Sequence, residues 1–366
     1  MTPNRLQPCS LRIRASPSPS LTPLFPSRYL FARSPRLGHY IPVVPLTFTA
    51  DPIDAAGALA RGGLAVIPTE TVYGLGARAD DHHAVARVFA TKGRPVDHPL
   101  IAHVYDADAA RAWAASIPEY AERLMERFWP GPMTLVLPRT TLAADFITGG
   151  QDTVAVRVPG SPVAREVLRT LAEVTGDPSI GIAAPSANRF GRVSPTTAQH
   201  AAEEIGDFLE DGDVILDAGP CVVGVESTIV DCSQQSPVLI RPGKITAEQI
   251  EEVGGVGLSS HSTTRAPGTL AAHYAPHARV RVTDAAALAE HAPDPAVGLI
   301  ALASVPTPAG MVRLCAPHSD EEFATCLYRA MREADSLRLE SVLAIPPEGA
   351  GLAEAIRDRL QRAAHT

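Results

Sequence analysis

No stretch of this sequence approaches the roughly 20 consecutive apolar residues that a membrane-spanning helix needs, so a membrane protein of helical type is not expected. The five cysteines, Cys9, Cys221, Cys232, Cys315 and Cys326, are odd in number, scattered, and form no CxxC pair. That spacing excludes a disulfide framework and a zinc ribbon, and it points to a reducing cytoplasm. No cluster of His, Cys, Asp and Glu has metal-ligand spacing, so no metal-binding residue is expected. There is no GxSxG elbow and no Ser-His-Asp set that spacing singles out, which argues against an esterase or protease.

The first 50 residues lack lysine and acids altogether and hold six of the 32 basic residues, all arginine. The remainder therefore carries 26 basic residues against 40 acidic, a formal charge of −14. A body that acidic, without interleaved aromatic and basic residues, is not expected to hold nucleic acid stably, because phosphate contacts dominate such affinity. Small-ligand chemistry is favoured. Residues 1–45, rich in Pro, Ser and Arg, read as a disordered tail, a transit peptide or translation from a start codon assigned too far upstream.

What is present is a sizeable core. Hydrophobic residues make up 45% of 366, enough for about two domains on a prior of roughly 150 residues each. From residue 46 to 253, strand and helix signals alternate. Helical patterns fall at 54–61, 81–90, 118–128, 162–174, 196–209 and 247–253. Strand patterns fall at 64–68, 100–104, 133–138, 154–158, 180–184, 214–217, 227–231 and 238–241. This order indicates an α/β domain with a partly antiparallel, mixed sheet, its last two strands forming a hairpin. Residues 254–278 read as a linker, and 279–366 as a smaller three-layer α/β domain with no phosphate-cradling glycine motif.

Five constellations could carry chemistry. Residues 68–99 read PTETVYGLGARADDHHAVARVFATKGRPVDHP. They put hydroxyls and small residues at a strand end, and Lys92 and Arg94 just past a helix, a layout suited to an anionic, phosphate-bearing ligand. His98 precedes a proline, which holds it extended, and His103 alternates with Ile101 along a short strand. In Asp152–Pro159, Thr153, Ala155 and Arg157 share one strand face. An arginine inside an apolar strand is costly unless it meets an anion; that anion is an internal carboxylate or a ligand's. In Ala183–Asn188 small residues at a strand exit admit a ligand to the backbone, and Ser194 before Pro195 reads as a helix N-cap. Arg241, after the GVESTIVD segment, repeats the logic of Arg157.

Taken together, PTETVYGLGA, KGRP, WPGP, DTVAVRVP, AAPSAN, SPT, GVESTIVD and LIRPG occur in one order between Leu46 and Gly243. This set resembles the YrdC-like family of L-threonylcarbamoyladenylate synthases. HYAP at 273–276 with the carboxy-terminal domain is similar to the long, two-domain Sua type. The resemblance implies a twisted sheet with a concave, positively lined cavity. It also implies a nucleotidyltransferase reaction in which L-threonine, bicarbonate and ATP give threonylcarbamoyl-AMP and pyrophosphate. Mg²⁺ would come bound through the ATP phosphates. Partner tRNA threonylcarbamoyl transferase proteins would then carry the group to tRNA. By the same resemblance, Thr71, His103, Arg157, Ala184 and Ser227 are expected at L-threonine. Arg94, His98, Thr153, Ser186, Ser194, Arg241 and Tyr274 are expected at ATP, with Lys92 and Arg94 catalytic. His98 departs from the asparagine frequent at its position. A reading from a different class is an RNA-binding module with the same fold.

Overall fold

A computed structural model of the protein describes residues 46–260, 262–268 and 273–365. The expected tail at residues 1–45 lies outside them. Ten strands form the first sheet: β1 (Thr47–Thr49), β2 (Ala65–Pro68), β3 (Tyr73–Arg78), β4 (Ile101–His103), β5 (Met133–Pro138), β6 (Thr153–Arg157), β7 (Ile182–Ala183), β8 (Val214–Leu216), β9 (Thr228–Asp231) and β10 (Val238–Arg241). Their spatial order is β1-β8-β2-β3-β7-β4-β6-β5-β9-β10. Parallel pairs such as β4/β6 and β5/β9 mix with antiparallel pairs such as β2/β3 and the β9/β10 hairpin.

Helices cover both faces. They are α1 (Pro52–Ala60), α2 (His82–Lys92), α3 (Ala107–Trp113), α4 (Glu119–Phe128), α5 (Asp145–Thr148), α6 (Pro162–Thr175), α7 (Ala198–Ile205) and α8 (Ala247–Gly254). On one face α1 and α6 close a core that includes Leu59, Ile67, Val167 and Leu171. The larger core on the other face gathers Val85, Val88, Trp113, Leu124 and Ile205 with the strand residues Leu75, Leu135 and Val156.

A second sheet is wholly parallel: β11 (Arg279–Val282), β12 (Val297–Ile300), β13 (Val312–Cys315) and β14 (Ser341–Ala344), in the order β11-β14-β12-β13. The long helices α10 (Asp320–Ser336) and α11 (Leu352–Ala364) share a core with Val280, Ile300, Leu314 and Val342. The short α9 (Ala285–Ala289) puts Leu288 against Leu299 and Leu343 on the opposite face. The architecture is thus the expected mixed α/β sheet with a smaller three-layer domain.

Two local expectations are corrected. Tyr73–Arg78, where no strand was expected, is a strand. Its glycines permit close packing: a Cβ on Gly76 would lie 2.8 Å from the Ile182 side chain, and one on Gly74 would lie 3.2 Å from Ala184 Cβ. The helix expected at 196–209 begins at Ala198, and its N-cap is Thr197, whose side chain accepts from the N–H of His200. Ser194 does not cap it.

Candidate functional site

Arg157 ends β6 and is paired in register with His103 on the neighbouring β4. Its guanidinium is buried. It donates from Nη2 to Glu70 Oε1 at 2.7 Å, from Nη1 to Thr71 Oγ1 at 3.0 Å and from Nε to the Gly131 carbonyl at 3.2 Å. Of the two anions that could justify an arginine here, an internal carboxylate is present. Arg157 thus meets an internal acid, Glu70, the first of the two readings left open. Thr71 also hydrogen-bonds Thr69, hydroxyl to hydroxyl, at 2.8 Å. His103 is buried, and its Nδ1 has no partner among the described residues. Burial first, then the Arg157 charge, pull it down to about 3, with Glu70 opposing, so the ring is neutral near pH 7.

The cations opposite have other company. α2 starts under an Asp81 cap and stops at Gly93, whose φ of 62° suits glycine. Lys92 stands three residues after Phe89 and four after Val88, on the apolar face of that helix, and is only 2% exposed. Its ammonium donates to the carbonyls of Ser186 and Asn188 at 2.5 and 2.6 Å. Burial, reinforced by the nearby charge of Arg94, holds it well below the usual lysine value. Arg94 donates from Nη2 to the Pro99 carbonyl at 2.9 Å, while its Nε has no partner among the described residues. Burial brings it down to about 10. Arg241 donates to the Ser227 carbonyl and hydroxyl and to the Pro267 carbonyl, each at 3.0 Å. Among the described residues, none of these three cations is ion-paired with a carboxylate within 4.0 Å.

The smaller domain reaches this site. Glu226 accepts from Ser194 Oγ at 2.6 Å, from Tyr328 Oη of α10 at 2.8 Å and from Arg359 Nε of α11 at 2.9 Å. Burial raises its carboxyl, but Arg359 and Arg241 outweigh that and hold it down to about 2. Tyr274 is 1% exposed and has φ of 65°, unusual for a bulky residue. Its ring stacks on Tyr328 at 5.8 Å, and Arg359 lies 5.3 Å from the ring centre. Its hydroxyl, like Nδ1 of the buried His273 beside it, has no partner among the described residues.

Most of the chain is similar to known proteins. Residues 57–243 match a family model described as "Telomere recombination", and residues 245–365 match "Threonylcarbamoyl-AMP synthase, C-terminal domain". A Pyrococcus abyssi protein named threonylcarbamoyl-AMP synthase is 41% identical over 329 residues, 84% of this chain and 92% of that protein. The chain belongs to the threonylcarbamoyl-AMP synthase family. A Bacillus subtilis member is 37% identical over 89% of this chain and 96% of its own length. A crystal structure of P. abyssi Sua5 complexed with L-threonine superposes with a TM-score of 0.74 at 40% identity, covering 86% of this chain and 94% of that one.

Within this threonylcarbamoyl-AMP synthase fold, one cavity is lined by Thr71, Lys92, Arg94, His103, Arg157, Ala184, Ser186, Ser227, Arg241 and Tyr274. Ten expected positions therefore converge. Three do not line it. Thr153 lies at the far end of β6, paired with Pro138. His98 packs its half-exposed ring 5.4 Å from Phe190. Ser194 is buried behind the wall against Glu226. The cavity also includes Thr69, Glu226 and His273, which sequence reasoning did not select. Each sits beside a chosen residue or motif, but only their long-range contacts distinguish them. With the 273–274 segment inside, about 50 Å³ of free space remains, far below the roughly 300–1,000 Å³ typical of small-molecule sites.

Proposed function

We propose that this chain forms threonylcarbamoyl-AMP and pyrophosphate from L-threonine, bicarbonate and ATP. The observation that carries the reading is one buried cavity lined both by Arg157 and by three cations, Lys92, Arg94 and Arg241, that have no carboxylate partner among the described residues and whose charges converge on His273. Four buried polar atoms in its lining, Arg94 Nε, His103 Nδ1, His273 Nδ1 and Tyr274 Oη, have no partner among the described residues. Buried polar atoms are seldom left so unless a ligand or water supplies the missing bond.

Arg157 and Thr71 hold the threonine carboxylate, with His103 neutral beside them. A second recess of about 10 Å³, lined by Thr69, Ile67, Ala164, Leu168 and Ile182 among others, adjoins that end and suits a methyl group. The neutral threonine amine attacks carbon dioxide with loss of a proton, or bicarbonate with loss of water, to give a carbamate. A carbamate oxygen then attacks the α-phosphorus of ATP, and pyrophosphate leaves. Lys92, Arg94 and Arg241 offset the phosphate charge, so positioning and electrostatics supply the catalysis. Mg²⁺ would come bound to the triphosphate oxygens, in keeping with its preference for phosphate and water ligands, and would supply further charge neutralisation. The 273–274 segment leaves to admit ATP and returns to exclude water from the mixed anhydride.

The product passes to tRNA threonylcarbamoyl transferase proteins, and the four buried free cysteines suit a reducing cytoplasm. The RNA-binding alternative is not favoured, because the relatives spanning most of this chain are named as synthases. The test is pyrophosphate release from ATP and bicarbonate with each amino acid in turn. Release dependent on L-threonine is expected; release indifferent to the amino acid overturns the reading.

A further inference from the structure

Glu70 is the acid that meets Arg157, and none of the chemistry above uses it. Both of its oxygens are engaged: Oε1 accepts from Arg157 Nη2 at 2.7 Å, and Oε2 accepts from the Ser161 N–H at 3.2 Å. The backbone beside it is clear, since a Cβ on Gly160 would lie 3.1 Å from Oε1 and 3.2 Å from Cδ. Side-chain exposures are 4% for Arg157 and 10% for Glu70. Burial raises the Glu70 carboxyl, but the charge and hydrogen bond of Arg157 outweigh that and keep it below the ordinary value. It is ionised at neutral pH.

The two ends of the cavity therefore differ in charge. At Arg157 one cation is offset by one carboxylate. At the other end Lys92, Arg94 and Arg241 are held by carbonyls and a hydroxyl, while Glu226 is ion-paired with Arg359. A bare buried guanidinium grips phosphate as well as carboxylate. With Glu70 on Nη2, a multiply charged phosphoryl group at Arg157 meets a like charge at short range, whereas a zwitterionic amino acid brings one carboxylate and no net charge. Selectivity of this kind comes from penalising the wrong ligand.

Resting on the reading that Arg157 receives the amino-acid carboxylate, the geometry points to Glu70 as a specificity-determining residue. It reserves Arg157 for a zwitterionic amino acid and turns phosphoryl groups away from that end.

Titration calorimetry with inorganic pyrophosphate and with L-threonine, separately and together, tests this on the full chain. In the wild type the two ligands bind without competing. Glu70→Gln is expected to bind a second pyrophosphate that L-threonine displaces, so that the two ligands compete. Glu70→Asp keeps the charge and restores non-competitive binding. Gly160→Ala, whose methyl presses on the carboxylate, serves if Glu70→Gln does not fold, and shifts binding in the same direction. Unchanged, non-competitive binding in Glu70→Gln or, where that variant does not fold, in Gly160→Ala overturns the proposal. So does an equal loss of both ligands in the Gln and Asp variants, which marks a purely structural pair. Binding rather than turnover is read, so a wild-type chain that binds both ligands but shows no threonine-dependent release refutes the proposed function and leaves this test standing.

Discussion

Arg359, on the last helix, donates its Nε hydrogen to Glu226 across 2.9 Å, and the two residues are 0% and 6% exposed. They are 133 positions apart and belong to different sheets' domains. A buried carboxylate with three converging donors is stable only while its cation remains. Truncating that cation leaves the charge uncompensated, at a cost of roughly 3–5 kcal/mol. Arg359→Ala is expected to lower stability by that order in urea unfolding. Tyr328→Phe removes one hydrogen bond to the same carboxylate and is expected to cost about 1–3 kcal/mol. If neither substitution moves the unfolding midpoint, the network does not join the domains.

Three buried groups, with the half-buried His200 pulled down to about 4 by burial and then by Arg332, shape the acid side of the stability curve. Burial leads in pulling His103 and His273 from 6.5 down to about 3 in the folded chain. The unfolded chain therefore takes up their protons first. Stability is lost as pH falls below about 6.5 and continues to fall toward 3, with a limiting slope of about 1.4 kcal/mol per pH unit for each group. Glu226 moves from 4.5 down to about 2, so its contribution is full above 4.5 and is lost between there and 2. Urea midpoints taken from pH 7 to pH 4 check the histidine part. His103→Gln is expected to flatten that limb by close to one proton; an unaltered slope removes His103 as a contributor.

The two strand-borne arginines should separate kinetically. On the proposed function Arg241, which holds Pro267 and also Ser227 of the expected threonine set, serves ATP, and Arg157, which holds Thr71, serves L-threonine. Losing a hydrogen bond from a charged group costs about 1.5–3 kcal/mol, or roughly 10- to 100-fold. Arg241→Ala is expected to raise the KM for ATP by that factor with little change for threonine, and Arg157→Ala to do the reverse. Pyrophosphate release at varied ATP and varied threonine measures both. Equal shifts in both constants would remove the division of the cavity into two ends.

Most helices were legible because their apolar stripes and caps are local: Asp81, Val85, Val88 and Gly93 define α2 within a dozen residues. The cost of an arginine in an apolar strand was legible too, and it led to Arg157 and Arg241. Its remedy was not, because Glu70 is 87 positions from Arg157 and only the folded sheet brings them together. Ser194 shows the same limit. A serine before Pro195 carries a strong local signal for a cap, yet a buried carboxylate 32 residues on claims its hydroxyl. Tyr73–Arg78 carried no strand signal because its alternate glycines have no side chain to show a pattern, whereas the close packing of Ile182 and Ala184 explains why glycine stands there in a strand.

Thr153 and His98 provide the controls that distinguish motif membership from contact. Thr153 shares a strand face with Arg157 but stands four residues away, about 13 Å along an extended chain, and it does not line the cavity. Thr153→Ala is expected to leave both KM values within about twofold, as surface changes usually stay within ±0.5 kcal/mol. His98 is one step removed. Its ring packs edge-on to Phe190, which faces Arg94 at 5.8 Å and His273 at 6.2 Å. Burial first, then Arg94, lower its pKa from 6.5, so it is largely neutral at pH 7 and acts by packing rather than charge. His98→Asn is therefore expected to change the KM for ATP by no more than a few-fold, with the same ratio to wild type at pH 7 and pH 8. A ratio that varies across that interval would show the imidazole charge acting on the nucleotide directly, and His98 would then belong to the site.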